Sequence, residues 1–405
     1  MTLPVYGNSL SLTQIATEFG APSTNIALEN FYAGGSYVAS GTVGYPTGGS
    51  SVAIPSSGTI SVASFYGASS FGFYTPAAMN GSTTTAIMYA VTVSSSGLFV
   101  AVGNNSSAYP VYATSSNGST WTTPAVMNGS TTPVYMESVT VNSSGLFVAV
   151  GYNSSGYPVY ATSSNGSTWT TPALMNGSAA VARMMSVAVN SSGLFVAVGY
   201  NGSGYPVYAT SSNGSTWTTP ALMNGSTAYA LMYGVTVNSS GLFVAVGSNY
   251  SAYAVYATSS NGSTWTTPAT MNGSTTVANM ESVTVSSSGL FVAVGYNGSA
   301  YPVYATSSNG STWTTPAVMN GSTTAAPMQS VTVNSSGLFV AVGYIPSTNC
   351  PAYATSSNGS TWTTPAAMNG TTTASNMRSV TVSSSGLFVA VGSDNSNFPV
   401  ATYSY

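Results

Sequence analysis

The chain has 405 residues, 43% of them hydrophobic and only 2% charged, with a net charge of −3; an ordinary soluble domain is about 25% charged, so this surface has little long-range field and its contacts depend weakly on salt. Two basic residues exclude binding to nucleic acid through phosphates, and the absence of His excludes His-based catalysis and metal clusters. No apolar run reaches the roughly 18 residues of a membrane-spanning helix, and Cys350, the one cysteine, has no partner for an intrachain disulfide.

Residues 1–70 read as a small mixed module. The opening "MTLPVYGNSLSLTQ" has neither a basic n-region nor an apolar h-region, so no secretory leader is expected. Ser11 and Gln14 form a capping box, Leu12, Ile15 and Phe19 share one helical face, and Gly20 stops the helix. "NIALENFY" from Asn25 and "TISVASFY" from Thr59 repeat the pattern of apolar residue, small residue and brief helical turn. Gly-rich stretches separate them, and a module this small has a thin core that needs a neighbour. "LSLTQIATEFG…NIALENFYAGGSYV…VAIPSSGTISVASFYGAS" resembles a segment near the N-terminus of virion proteins of tailed bacteriophages. That resemblance implies a tail-associated structural protein, made in the host cytoplasm and located in the virion. Residues 1–70 would then dock on other virion proteins, within a homo-oligomer.

Residues 71–405 are periodic. Trp121, Trp169, Trp217, Trp265, Trp313 and Trp362 recur every 48 or 49 residues, and "GLFVAVG" occurs seven times. Each repeat holds four segments of β-branched and aromatic character, here strands A to D: "ESVTV", "LFVAVG", "PVYATS" and "STWTTPA". Turn-forming "NSSG", a Gly/Pro-containing loop and "SNGS" separate them. Four antiparallel strands per repeat of this length predict a β-propeller blade. The last repeat ends after strand C, while "FGFYTPAAMNGSTT" from Phe71 aligns with "STWTTPAVMNGSTT", placing Phe73 at the Trp position. The expected fold is therefore an all-β, seven-bladed β-propeller of four-stranded repeats, closed end to end by pairing its two ends, which leaves no open sheet edge. "TSSNGSTW" resembles the Asp-box of sialidase-type propellers: Thr114, Gly118, Thr120 and Trp121 match, and Ser116 stands in place of the Asp. The resemblance implies a structural C–D hairpin with its Trp packed between blades.

Variation between the repeats falls in the D–A and B–C loops, whereas the A–B and C–D turns barely change. In a four-strand meander the two variable loops share one face of the disc, which is the expected recognition face. Tyr89, Glu137, Met185, Tyr233, Glu281, Gln329 and Arg378 occupy one equivalent position in successive blades, just after a repeated Met. With strand A innermost, they should ring the mouth of the central channel. The B–C loops add Tyr157, Tyr205, Tyr253 and Tyr301, rigid amphipathic rings suited to glycan or protein. The carboxylates are Glu18, Glu29, Glu137, Glu281 and Asp394; Glu137 and Glu281 stand three blades apart, too far for a glycosidase pair, and two arginines are too few for a sialidase site. No catalysis, cofactor, metal, nucleic acid or membrane partner is expected. The expected function is a tail-fibre or adhesin-type virion component that recognises a host-surface glycan or protein. The alternatives are a capsid or tail decoration protein and a secreted bacterial lectin-like propeller.

Overall fold

The structure is a computed structural model; it describes residues 71–404 apart from 82–84, 179, 274 and 369–373, and within the first seventy residues 14–16, 31, 43–44 and 52–53. In that first segment, residues 14–16 form a helical turn with Ile15 buried, and Val43–Gly44 pairs antiparallel with Val52–Ala53. Ser11, Leu12, Phe19 and Gly20 lie outside the described residues.

Seven four-stranded antiparallel sheets follow, each in the order A–B–C–D. The first comprises Ala86–Val93, Phe99–Asn105, Pro110–Ser115 and Ala125–Val126. Strands A of the next five are Val134–Val141, Ala182–Val189, Ala230–Val237, Ala278–Val285 and Met328–Val333. The seventh sheet joins both ends of the repeat region: Ser375–Val382, Phe388–Asp394 and Pro399–Tyr403 take Ala77–Ala78 as their outer strand. Ala77 faces Ala401, Ala78 faces Val400, and Phe73 bridges to Ser404. End-to-end closure is therefore present, and Phe73, fully buried, occupies the place that Trp holds in the other blades.

The core lies between blades. One cluster joins Val100 and Val102 of the first blade to Met136, Phe147 and Trp169 of the second; another joins Val389 and Val391 of the seventh to Met88, Phe99 and Trp121 of the first. Burying one such Phe contributes about 1.5–3 kcal/mol. Strand C sends a Tyr against the next blade's Trp, as Tyr160 does to Trp217 at a centroid distance of 6.2 Å.

Polar rings bind neighbouring blades as well. On the outer rim Asn128, at φ 44°, donates from Nδ2 to Thr171 Oγ1 of the next blade, and Asn80 of the closing strand donates to Thr123 Oγ1 at 2.8 Å. On the loop face the N–H of Ala182 donates to Gly156 O in the preceding blade, and Ala86 does the same to Asn397 O across the closure. That ring holds each D–A loop against the preceding B–C loop, so the two variable loops share a face, as expected. The hairpins pack at the other end: the Gly166 backbone sits against Leu98 and Val100 where strand B begins.

The fourth strand is shorter than "STWTTPA". Pairing begins only after Pro124, at Ala125–Val126, because Pro has no N–H for the ladder and Trp121 turns inward as a plug, 3% exposed. The hairpin turn is held by the neighbours of Ser116. Ser115 Oγ accepts from the Gly118 N–H, and Asn117 Oδ1 accepts from the N–H groups of Ser119 and Thr120. Trp121 Nε1 donates to Gly118 O at 2.9 Å.

Candidate functional site at the channel mouth

Strand A carries a β-bulge at the same point in every blade. In the first blade Met88 faces Gly103 and Ala90 faces Val102, which leaves Tyr89 as the extra residue. The extra residues of the others are Glu137, Met185, Tyr233, Glu281, Gln329 and Arg378. A bulge re-aims the side chain that it leaves unpaired. The preceding Met is fully buried between blades in each case, so the bulge turns its successor inward. All seven line one central cavity of about 150 Å³. The next residue locks the ring: where it is Ser, its Oγ accepts from a Val N–H of the following blade, as Ser138 does from Val187 at 3.2 Å.

A second position, on strand B, stands behind the bulge residue and does not line this cavity. Reading blade by blade it is Asn104, Tyr152, Tyr200, Ser248, Tyr296, Tyr344 and Ser393. The two positions are filled in a complementary way in each blade. Where the bulge residue is Tyr or Arg (Tyr89, Tyr233, Arg378), the strand B residue is Asn or Ser; where it is Glu, Met or Gln, the strand B residue is Tyr. The pairs touch: Tyr152 donates to the Glu137 carboxylate, Tyr296 donates to Glu281, and the Tyr233 and Ser248 hydroxyls are hydrogen-bonded.

The mouth has two chemically different sides. On one, Arg378 lies over the Tyr89 ring at 5.2 Å and Arg183 over the Tyr152 ring at 4.8 Å. Desolvation raises the Glu137 pKa, opposed by Arg378, the Tyr152 hydrogen bond and Arg183. On the other side Glu281 has only Tyr296 to oppose its desolvation, and its pKa rises to about 7. Desolvation likewise raises the phenols of Tyr233 and Tyr296.

Glu281 makes stability pH-dependent. Below the ordinary carboxyl pKa of 4.5 the group is protonated folded or unfolded, and its favourable contribution is complete. Between there and about 7 the folded chain holds more proton than the unfolded chain, so stability falls as pH rises. The expected loss is about 1–3 kcal/mol between about pH 4.5 and pH 8. Denaturant midpoints across that range should fall for the natural chain and fall less for Glu281→Gln.

Tyr157, Tyr205, Tyr253 and Tyr301 do not join this cavity. They sit half-buried in the B–C loops, where their backbone N–H groups donate to Asn153, Asn201, Asn249 and Asn297 Oδ1. Among the described residues, the exposed bulky apolar side chains on the loop face are instead Val181, Tyr229, Tyr250 and Val277. They lie on three consecutive blades: Tyr229 and Tyr250 meet edge to face at 5.5 Å, and Val277 bridges to Tyr253. Tyr250 is 84% exposed. The sequence signal for this sector is the position three residues before the repeated Met, which is large and apolar only in these blades. Tyr152 and Tyr296, which bond Glu137 and Glu281, and Arg183, which lies over Tyr152, back the ring in a way that the bulge position alone does not reveal. The six tryptophans are structural plugs between blades.

No known protein family and no curated protein matches the sequence. Solved structures share the fold. The BP39L lectin from Burkholderia pseudomallei is 12% identical with a TM-score of 0.61, over 79% of this chain and 96% of its own. A structure of YCF48 bound to D1 peptide is 15% identical with a TM-score of 0.56, over 82% of this chain and 94% of its own. YCF48 from Cyanidioschyzon merolae is 13% identical with a TM-score of 0.56, over 80% and 96%.

Proposed function

We propose that this chain is a non-catalytic recognition propeller that binds carbohydrate on its loop face and is carried by a phage-type N-terminal module as a virion adhesin. The observation that carries the reading is the composition of that face. A ring of seven bulge residues, polar and mixed in chemistry, surrounds the channel mouth, and beside it stands an uncharged sector of Val181, Tyr229, Tyr250 and Val277. Tyr rings offer stacking faces at low entropic cost, and amide, carboxyl and hydroxyl groups at the mouth offer directional bonds to sugar hydroxyls. One fold neighbour is a lectin, which agrees with this choice.

Binding without turnover fits the chemistry. Glu137 and Glu281 belong to the second and fifth blades, and each is bonded to its own tyrosine rather than to the other. The resemblance of residues 1–70 to phage virion segments supports the virion assignment.

Binding of the full chain to a glycan array and to candidate host cells tests the reading. Replacing Glu137, Glu281 and Arg378 together by Ala should weaken binding at least about tenfold, or about 1.4 kcal/mol. Ser116→Ala, in the hairpins of the opposite face, should leave it unchanged. Blank arrays and blank cells, with virions that fall apart when the protein is absent, would replace the adhesin by a decoration protein.

A further inference from the structure

We propose a second ligand site, separate from the channel mouth: a pocket on the loop face of the first blade that accepts the ring of a neutral sugar through Asn104 and Tyr135. It goes beyond the face-level reading and stands or falls independently of it.

The pocket lies beside a rung that differs from its equivalents in other blades. Strand B carries Tyr at the Asn104 position in the second, third, fifth and sixth blades. Tyr152 there stacks on Tyr135, opposite it in the ladder, with centroids 5.1 Å apart. In the first blade the same ladder rung pairs Ile87 with Asn104. Beside this rung lies a cavity of about 280 Å³, walled by Ile87, Asn104 and Asn105, by Tyr135 of the second blade, and by Asn397 of the seventh. Such a volume exceeds the roughly 30 Å³ share of one water many times over and approaches the roughly 300 Å³ of small ligand pockets.

The second observation is electronic. Asn104 is 7% exposed, and its Nδ2 donates to Asn105 O at 3.0 Å. Its Oδ1 is buried with no partner. A buried acceptor without a donor costs about 1–3 kcal/mol, so a small rotation of the Asn104 side chain that brings Oδ1 to a ligand hydroxyl in the cavity recovers a penalty that the unliganded chain carries. Among the described residues, no charged side chain lines the cavity. Amides, hydroxyls, one phenol ring and one Ile are what it offers. That set matches an uncharged pyranose, whose hydroxyl donates to Asn104 Oδ1 while its C–H face lies on Tyr135 or Ile87. A carboxylate-bearing sugar would lose its hydration with no cation to receive it.

Asn104→Ser is the informative variant. The fourth blade already pairs Tyr233 with Ser248, so a serine in place of Asn104 beside Tyr89 has a folded precedent in the same chain. The substitution removes the carbonyl acceptor while retaining a small side chain. Saturation-transfer NMR on the full chain, with glucose, galactose, mannose and fucose as neutral probes and N-acetylneuraminic acid as the charged probe, reads the site. The expected result is weak transfer to at least one neutral sugar and none to the charged one, with affinity reduced at least about tenfold in Asn104→Ser, while thermal unfolding stays near that of the natural chain. No transfer to any neutral probe, equal transfer to both variants, or preference for the charged sugar overturns the proposal. Monosaccharide binding lost in Asn104→Ser, with array binding retained, supports the pocket and leaves the channel-mouth reading intact. Array binding present with no monosaccharide transfer overturns the pocket alone.

Discussion

Gly295→Ala should destabilise the propeller by about 3–5 kcal/mol and should weaken recognition at the channel mouth with it. Gly295 closes the fifth "GLFVAVG" and faces Met280 across the ladder. A Cβ there would lie 1.8 Å from the carbonyl oxygen of Asn279, a backbone atom with no rotamer in which to retreat. The same contact recurs at Gly103, Gly151, Gly199, Gly247 and Gly392, and at 2.0 Å at Gly343. Its φ is not left-handed, so the demand is for space rather than for backbone freedom. The bulge brings strand A this close, and the bulge is also what turns Glu281 into the cavity. Relief of the clash has to flatten the bulge and withdraw the ring residue. Denaturant unfolding and glycan binding of Gly295→Ala should therefore move together. Gly289→Ala, in the open A–B turn at φ 86°, strains only its own turn and should leave the mouth unaltered.

Phe73→Ala should cost about 3–5 kcal/mol, because Phe73 is the plug of the closing blade. It is fully buried, meets Phe71 at 5.8 Å and Tyr353 at 5.5 Å, and its bridge to Ser404 is part of the closure. Removing the ring leaves a cavity at the junction of the two chain ends, which the rungs Ala77–Ala401 and Ala78–Val400 and the bond from the Tyr74 N–H to Tyr403 O still join. Phe71 stands where the other blades have Ser, as in "STW", and fills the volume by which Phe falls short of Trp. Phe73→Trp alone should overpack against Phe71 and cost about 1–3 kcal/mol. Phe71→Ser with Phe73→Trp restores the repeat's own pair and should recover most of that loss. A double-mutant cycle by chemical denaturation measures the coupling; additive losses would show that the two rings do not share the plug site.

The mouth also shows how binding chemistry and fold are divided within the repeat. Letters that hold blades together are constant, as the buried Met and the strand B Gly are in all seven blades and the Trp plug is in six. The bulge residue and its strand B neighbour vary, but as a pair that keeps the filled volume similar. Chemistry can therefore change from blade to blade, Arg378 beside Ser393 and Glu281 beside Tyr296, without reopening the packing between sheets.

The chain by itself determined the repeat, the four strands per blade, the count of seven and the joining of its ends. These follow from local signals: turn residues at fixed offsets, β-branched runs, and a first segment that completes a truncated last repeat. It also determined the variable face and the bulge residues as a ring, because equivalent positions in a closed circular array must surround its axis. Tertiary structure alone decided what those positions touch. That Tyr152 reaches Glu137 and Arg183, that Pro124 delays the fourth strand, that Val181, Tyr229, Tyr250 and Val277 form one exposed sector, and that Asn104 leaves a pocket with a partnerless carbonyl, all depend on side chains in different strands or about 48 residues apart in neighbouring blades. Periodicity fixes which residues are equivalent; only the bulge, the ladder register and the packing between adjacent sheets fix which are in contact.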